Sequence, residues 1–180
     1  MGAHGPAAGA PWPVGRSRHA PGCGRAAPEG LPSGAMSEEC VFCAIGEGRL
    51  DALVVGENPR ALAFLDRHPI SDGHTLVIPK HHSENFLDMP AEDRTAVADL
   101  AHDVAYNLSH TLPRFEGFNL LMSNGQAAGQ TVFHTHLHVF PRMAGDGYHL
   151  EQKPERVPSD EELRAVQALL LAGVPARSDD

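Results

Sequence analysis

Cysteine is scarce in this chain, with three among 180 residues, at positions 23, 40 and 43. So few, so unevenly spaced, exclude the disulfide framework of a small secreted scaffold. Positive charge is also short. Fourteen Lys and Arg face 23 Asp and Glu, a formal net charge of −9, which argues against a partner recognised through a nucleic-acid backbone. No hydrophobic run approaches the roughly 18 residues of a membrane span, so no membrane partner is expected. Aromatic residues are only 6% of the chain, with a single Trp. Apolar residues at 42% still suffice for one buried core. What is abundant is histidine, with 12 residues, and their placement carries the functional signal.

Residues 1–35 stand apart. They hold 8 Gly, 6 Pro and 8 Ala, and three arginines against one acid. Such a composition cannot bury enough apolar surface to offset ordering entropy, so a disordered tail is expected. It lacks the continuous apolar region of a secretory signal, which together with the few cysteines favours a cytoplasmic protein. Met36 opens a more ordinary sequence.

From there the pattern alternates. Strand-length apolar runs bounded by Gly, Pro, Asn or Asp occur at 52–56, 61–65, 74–79, 117–123 and 133–140. A long helix is predicted between the third and fourth, with Asp88 as N-cap, Pro90 in the first turn, and Val97, Leu100, Ala101, Val104 and Leu108 as its apolar stripe. A second helix starts at Ser159, where Glu162 completes a capping box, carries Leu163, Val166 and Leu170, and is stopped by Gly173 and Pro175. The fold class is α+β, with helices covering one face of an antiparallel sheet of about five strands. The exposed face or edge left over favours a homodimer. The expected division is a tail over 1–35, a domain over 36–145, and a C-terminal loop and helix over 146–180 that pack on the domain.

The segment 130–142 reads Gln-Thr-Val-Phe-His-Thr-His-Leu-His-Val-Phe-Pro-Arg. His134, His136 and His138 alternate with Thr135, Leu137 and Val139. In a strand that spacing puts three imidazoles on one face, roughly 6.6 Å apart. A solvated strand face that merely happens to be histidine is the bland alternative, and a metal site using two of the three is the serious rival. The metal reading gains from Cys40-Val41-Phe42-Cys43, a pair with zinc-ligand spacing that needs two further ligands. His74, His81, His82 and the three alternating histidines are the candidates.

The triple histidine, together with Asn-Gly-Gln-Ala-Ala-Gly-Gln at 124–130 and Gly-His-Thr-Leu-Val-Ile-Pro-Lys-His-His at 73–82, resembles the histidine-triad (HIT) nucleotide-binding proteins over about residues 38–145. Pro141-Arg142 after the triad fits the bacterial-type branch, and the N-terminal tail has no family counterpart. The resemblance implies a hydrolase that cleaves a nucleotide α-phosphate bond. It places the nucleophile at His136, with His138 orienting the phosphate and His74 supporting the triad by hydrogen bonding. It implies phosphate contacts from Asn124 and from the backbone around Gly129, Gln130 and Thr131, and a ribose contact from Asp66. Phe42, Ile45 and Phe64 would line the base pocket. It further implies one structural zinc on Cys40, Cys43, His82 and His134, and a purine nucleotide or dinucleotide as partner. The leaving group is an amine or a nucleotide; a phosphorylase is a minor version. A nucleotide-binding or scaffolding protein with incidental slow hydrolysis is the alternative function. A purely structural zinc module would leave His136, Asn124 and Asp66 unexplained.

Overall fold

The computed structural model describes residues 40–149 and 157–173; the expected tail over 1–35 lies outside them. Five strands, β1 (Val54–Glu57), β2 (Ala61–Leu65), β3 (Thr75–Pro79), β4 (Gly117–Leu121) and β5 (Leu137–Arg142), form one sheet in the order β1-β2-β3-β5-β4. Every neighbouring pair is antiparallel. Three helices accompany them, α1 (Val41–Gly46), α2 (Ala91–Thr111) and α3 (Asp160–Gly173). This is the α+β architecture that the sequence predicts.

Strand alternation divides the apolar residues between two layers. Ala61, Ala63, Val77 and Val139 point to one face and meet Val97, Leu100, Ala101 and Val104 of α2. The alanines of β2 have little bulk, so the helix seats close to the sheet. Leu62, Phe64, Leu76 and Ile78 point to the other face and pack with Phe42 of α1. A helix with an apolar stripe therefore covers one side, and the opposite side is left to build a cleft. The β1–β2 turn is tied to the start of α2 by polar bonds as well. Asn58 Nδ2 donates to the Ala96 carbonyl at 2.8 Å, and Arg60 Nη1 donates to the buried Asp93 carboxylate at 2.9 Å.

Two local expectations are corrected. Asp88 does not cap α2; its carboxylate accepts from the Glu84 and Asn85 N–H groups, each at 2.9 Å, and Pro90 is the N-cap residue. A proline suits that position because it brings no N–H needing a partner. The Cys40–Cys43 segment, to which the sequence assigns no element, opens α1, anchored by the buried Phe42. The fifth strand begins at Leu137 rather than 133, because the Thr135 N–H donates to the Ser83 carbonyl at 2.7 Å instead of joining the ladder.

The capping box of α3 forms as read. Ser159 N–H donates to Glu162 Oε2 at 2.8 Å, and Glu162 N–H donates to Ser159 Oγ at 3.3 Å. All described α3 residues are exposed, the Leu163, Val166 and Leu170 stripe included, so the helix does not bury that stripe on the domain. Among the described residues, no helix is long and apolar enough to cross a membrane.

One turn fixes a close approach between the layers. Gly73, at φ +89°, precedes His74, and a β-carbon there would come within 2.9 Å of Leu108 and 3.0 Å of Leu112. Only glycine fits both that backbone conformation and that gap.

Candidate functional site

The three histidines do not share one strand. His138 lies in β5, while His134 and His136 sit in the irregular segment before it. All three nevertheless remain on the open side of the sheet, since Phe42 meets the rings of both His134 and His136 edge-on. The His136 and His138 rings are 5.0 Å apart between centroids, closer than an ideal strand step provides.

Backbone contacts set the protonated nitrogen of each ring. The His136 Nδ1–H donates to the His134 carbonyl at 2.7 Å, which leaves Nε2 with its lone pair. The Ile70 N–H donates to His74 Nδ1 at 3.1 Å, so His74 carries its proton on Nε2 and donates to His138 Nδ1 at 2.9 Å. His138 in turn carries its proton on Nε2. Asp66 Oδ2 stands 3.5 Å from His74 Nδ1, an ion pair only if His74 is charged. Burial, the main effect, holds His74 below its ordinary value against the pull of Asp66, which favours the neutral ring. His138 is held lower still, at about 4, chiefly by burial and then by the His136 and His74 rings.

A cleft of about 720 Å³ opens beside these rings. Phe64 and Leu76 line it from the sheet, Phe42 and Ile45 from α1, and His136, His138 and Thr131 are its polar groups on the triad side. Asp66 lines it as well. The predicted Phe42, Ile45, Phe64, Asp66, Thr131, His136 and His138 are thus brought together. His74 sits buried behind His138.

Asn124, Gly129 and Gln130 do not line the cleft. Asn124 Oδ1 accepts from the Phe86 N–H at 2.8 Å, and its Nδ2 donates to the Met122 carbonyl at 3.3 Å. Gln130 is buried, and its amide braces the loop. Oε1 accepts from the Gly125 N–H at 2.7 Å, and Nε2 donates to the Glu84 and Val132 carbonyls at 2.6 and 3.1 Å. The backbone N–H groups of Gly129 and Gln130 are also used inside the loop. Thr131 is left as the loop residue facing the cleft. The sequence reading also missed Leu53 and Val132 of the apolar lining, and Asp51, Arg67 and His68 at the rim. The spacing of Val41, Phe42 and Ile45 is the one signal that hinted at a helical wall here.

The second cluster lies on the far side of His134. Cys40, Cys43, His82 and His134 bring four donor atoms within 4.8 Å of one another. Cys40 Sγ and Cys43 Sγ are 3.4 and 3.5 Å from His134 Nδ1, and Cys43 Sγ is 3.3 Å from His82 Nδ1. With bonds of about 2.3 Å to sulfur and 2.1 Å to nitrogen, a zinc tetrahedron has edges of about 3.6 Å, so the donors fit that ion. The His134 Nε2–H donates to the Pro79 carbonyl at 3.0 Å, which aims Nδ1 at the cysteines. Burial, then the neighbouring Cys40, push the Cys43 thiol up to about 11; a bound dication reverses that cost. His81 is not in the cluster.

A family profile for the HIT domain matches residues 47–145. The crystal structure of a HIT family protein from Bacillus anthracis superposes with a TM-score of 0.72 at 33% identity, covering 78% of this chain and all of that one. A zinc-bound histidine triad family protein from Mycobacterium smegmatis superposes with a TM-score of 0.59 at 39% identity, over 76% of this chain and 98% of that one. An adenylylsulfatase of Arabidopsis thaliana is 38% identical over 119 residues, 64% of this chain and 58% of that protein.

Proposed function

Because this chain belongs to the HIT domain family, we propose that it is a hydrolase that cleaves the α-phosphate bond of a purine nucleotide or dinucleotide and releases a nucleoside monophosphate. The observation that carries this reading is the His136 ring. Its Nδ1–H is engaged by the His134 carbonyl, so the lone pair on Nε2 is available at the polar end of the cleft.

In the first half-reaction His136 Nε2 forms a bond to the α-phosphorus. The bond to the leaving group breaks, and its electron pair departs with a sulfate, a second nucleotide, or an amine that takes up a proton from solvent. In the second, water attacks the phosphorus and gives up a proton to solvent, and the P–N bond returns its electrons to Nε2. His138 donates its Nε2–H to a phosphate oxygen throughout. It stays neutral because burial and the neighbouring imidazoles keep it at about 4. Asp66 accepts from the ribose hydroxyls, Thr131 meets the phosphate, and Phe42, Ile45 and Phe64 hold the base. Asn124, Gly129 and Gln130 act one step back, by shaping the loop that presents Thr131. The adenylylsulfatase among the relatives supports this chemistry, since transfer of an adenylyl group to water is also displacement at an α-phosphorus.

Cys40, Cys43, His82 and His134 hold a zinc ion in this reading, a reading that the zinc-bound relative supports. Four protein donors leave no position for a reacting water, so the ion is structural. Strand β4 is an edge, and its Phe118 and Leu120 are exposed; a second copy of the chain covers it in a homodimer.

Trapping tests the mechanism. The protein is mixed with a labelled nucleoside phosphoramidate, quenched in base, digested and mapped. An acid-labile nucleotidyl adduct on His136 is expected. An adduct on His138, or turnover that persists in His136→Ala, overturns the assignment.

A further inference from the structure

The cleft beside the triad also carries two charged side chains that have no role in the chemistry above. The sheet register Val54–Phe64–Leu76–His138 runs straight across β1, β2, β3 and β5. Three strand spacings, about 14 Å in all, separate the triad strand from β1. The approach to β1 carries Leu50 and Leu53, which continue the apolar wall. Between them sits Asp51, and facing it sits Arg67, both lining the same cleft and neither involved in core packing. Arg67 Nη2 donates to the Asp51 main-chain carbonyl at 3.2 Å, which holds the guanidinium beside the acid at the mouth. Among the described residues, nothing engages the Asp51 carboxylate. Arg67 follows Asp66, the ribose contact of the proposed function, and both charged groups share the cleft with Phe42, Ile45 and Phe64, the wall proposed to hold the base.

We propose that Asp51 and Arg67 read the nucleobase and make this cleft selective for guanine over adenine. The inference rests on the nucleotide reading of the site. An ionised carboxylate only accepts hydrogen bonds, and a guanidinium only donates them, through a planar fork. Guanine supplies the matching edges: N1–H and N2–H for the carboxylate, and O6 and N7 for the guanidinium. Adenine presents an acceptor at N1, where the carboxylate repels it. A mixed donor and acceptor amide is what adenine takes, and neither position has one. Both side chains are exposed at the rim, so discrimination rests on the repulsion of a mismatched edge as well as on the matched bonds.

Two measurements test this, one of them independent of turnover. Calorimetry gives the affinities for GMP and AMP; steady-state kinetics gives kcat/KM for guanosine and adenosine 5′-phosphoramidates. The wild type should bind GMP at least about tenfold more tightly than AMP. Asp51→Ala and Arg67→Ala should each reduce that preference to within about threefold. Asp51→Asn, which barely changes shape, should move it toward AMP. Equal affinities in the wild type, or a guanine preference that survives in all three variants, overturn the inference. A guanine preference in binding without any turnover keeps it and overturns the hydrolase reading instead. Equal turnover of both phosphoramidates with equal binding does the reverse, and failure to bind either nucleotide overturns both.

Discussion

His74 donates to His138 across 2.9 Å, and it can do so because the Ile70 N–H already occupies its other ring nitrogen. One main-chain N–H thus settles the proton positions of two buried rings in sequence. The Nε2–H of His138 is a consequence of a turn four residues before His74.

Acid should therefore destabilise the fold. An unfolded histidine titrates near 6.5, whereas His138 in the fold is held at about 4 and His74 is also lowered, both mainly by burial. Between those values the unfolded chain takes up protons that the folded chain refuses. The stabilisation is complete above about 6.5 and is lost as the pH falls toward 4. Tm should drop by at least about 4 °C between pH 7.5 and 4.5. His138→Gln should flatten that slope; an unchanged slope in the variant would assign the acid sensitivity to other groups.

Removing the nucleophile should abolish turnover while leaving the ligand held. His136→Ala is expected to lower kcat by at least about a thousandfold, more than 4 kcal/mol in barrier. Nucleotide affinity should stay within about tenfold, because Asp66, Thr131 and the apolar wall remain. Single-turnover kinetics alongside equilibrium binding separates the two effects. His138→Ala should act more mildly, and any residual adduct should still map to His136.

Metal content should follow the cysteines. One equivalent of zinc should copurify with the protein, as read by elemental analysis on material never exposed to chelator. Cys43→Ala should lose it and lower Tm by at least about 5 °C, since metal binding energy contributes to folding. His82→Ala should lose zinc and His81→Ala should keep it, because only His82 meets the cysteines. Metal-free wild-type protein would remove the assignment.

The loop brace offers a fourth test. Gln130→Ala strips partners from the Gly125 N–H and from the Glu84 and Val132 carbonyls. The expected cost is about 1–3 kcal/mol, as for buried polar groups left unsatisfied. Denaturant unfolding measures it. Gln130→Glu, which sets a buried carboxylate oxygen against both carbonyls, should recover none of the loss.

Much of this was legible along the chain because the signals are local. The α2 stripe from Val97 to Val104 follows from helical spacing, and the Ser159–Glu162 capping box needs only its own three-residue interval. The grouping of Cys40, Cys43, His82 and His134 followed from residue types and family resemblance. What could not be read was where polar side chains turn. Asp88, Asn124 and Gln130 all bond to main-chain groups of neighbouring loops, and a sequence does not show which carbonyl or N–H will lie opposite. For the same reason the start of β5 was set too early: Ser83, 52 residues away from Thr135, decides it.

Gly73 gives the molecule a sensitivity to changes made far from any ligand. Leu108 and Leu112 close on the space where its side chain would be, and the next residue is His74, whose ring holds His138. The end of α2 therefore acts as a seat for the turn that orients the triad, though it lies on the opposite layer. Sequence variation at Leu108 or Leu112 would be inherited by the reaction as misplacement of a proton donor. In a survey of natural variants, these two leucines should behave as though they belonged to the site.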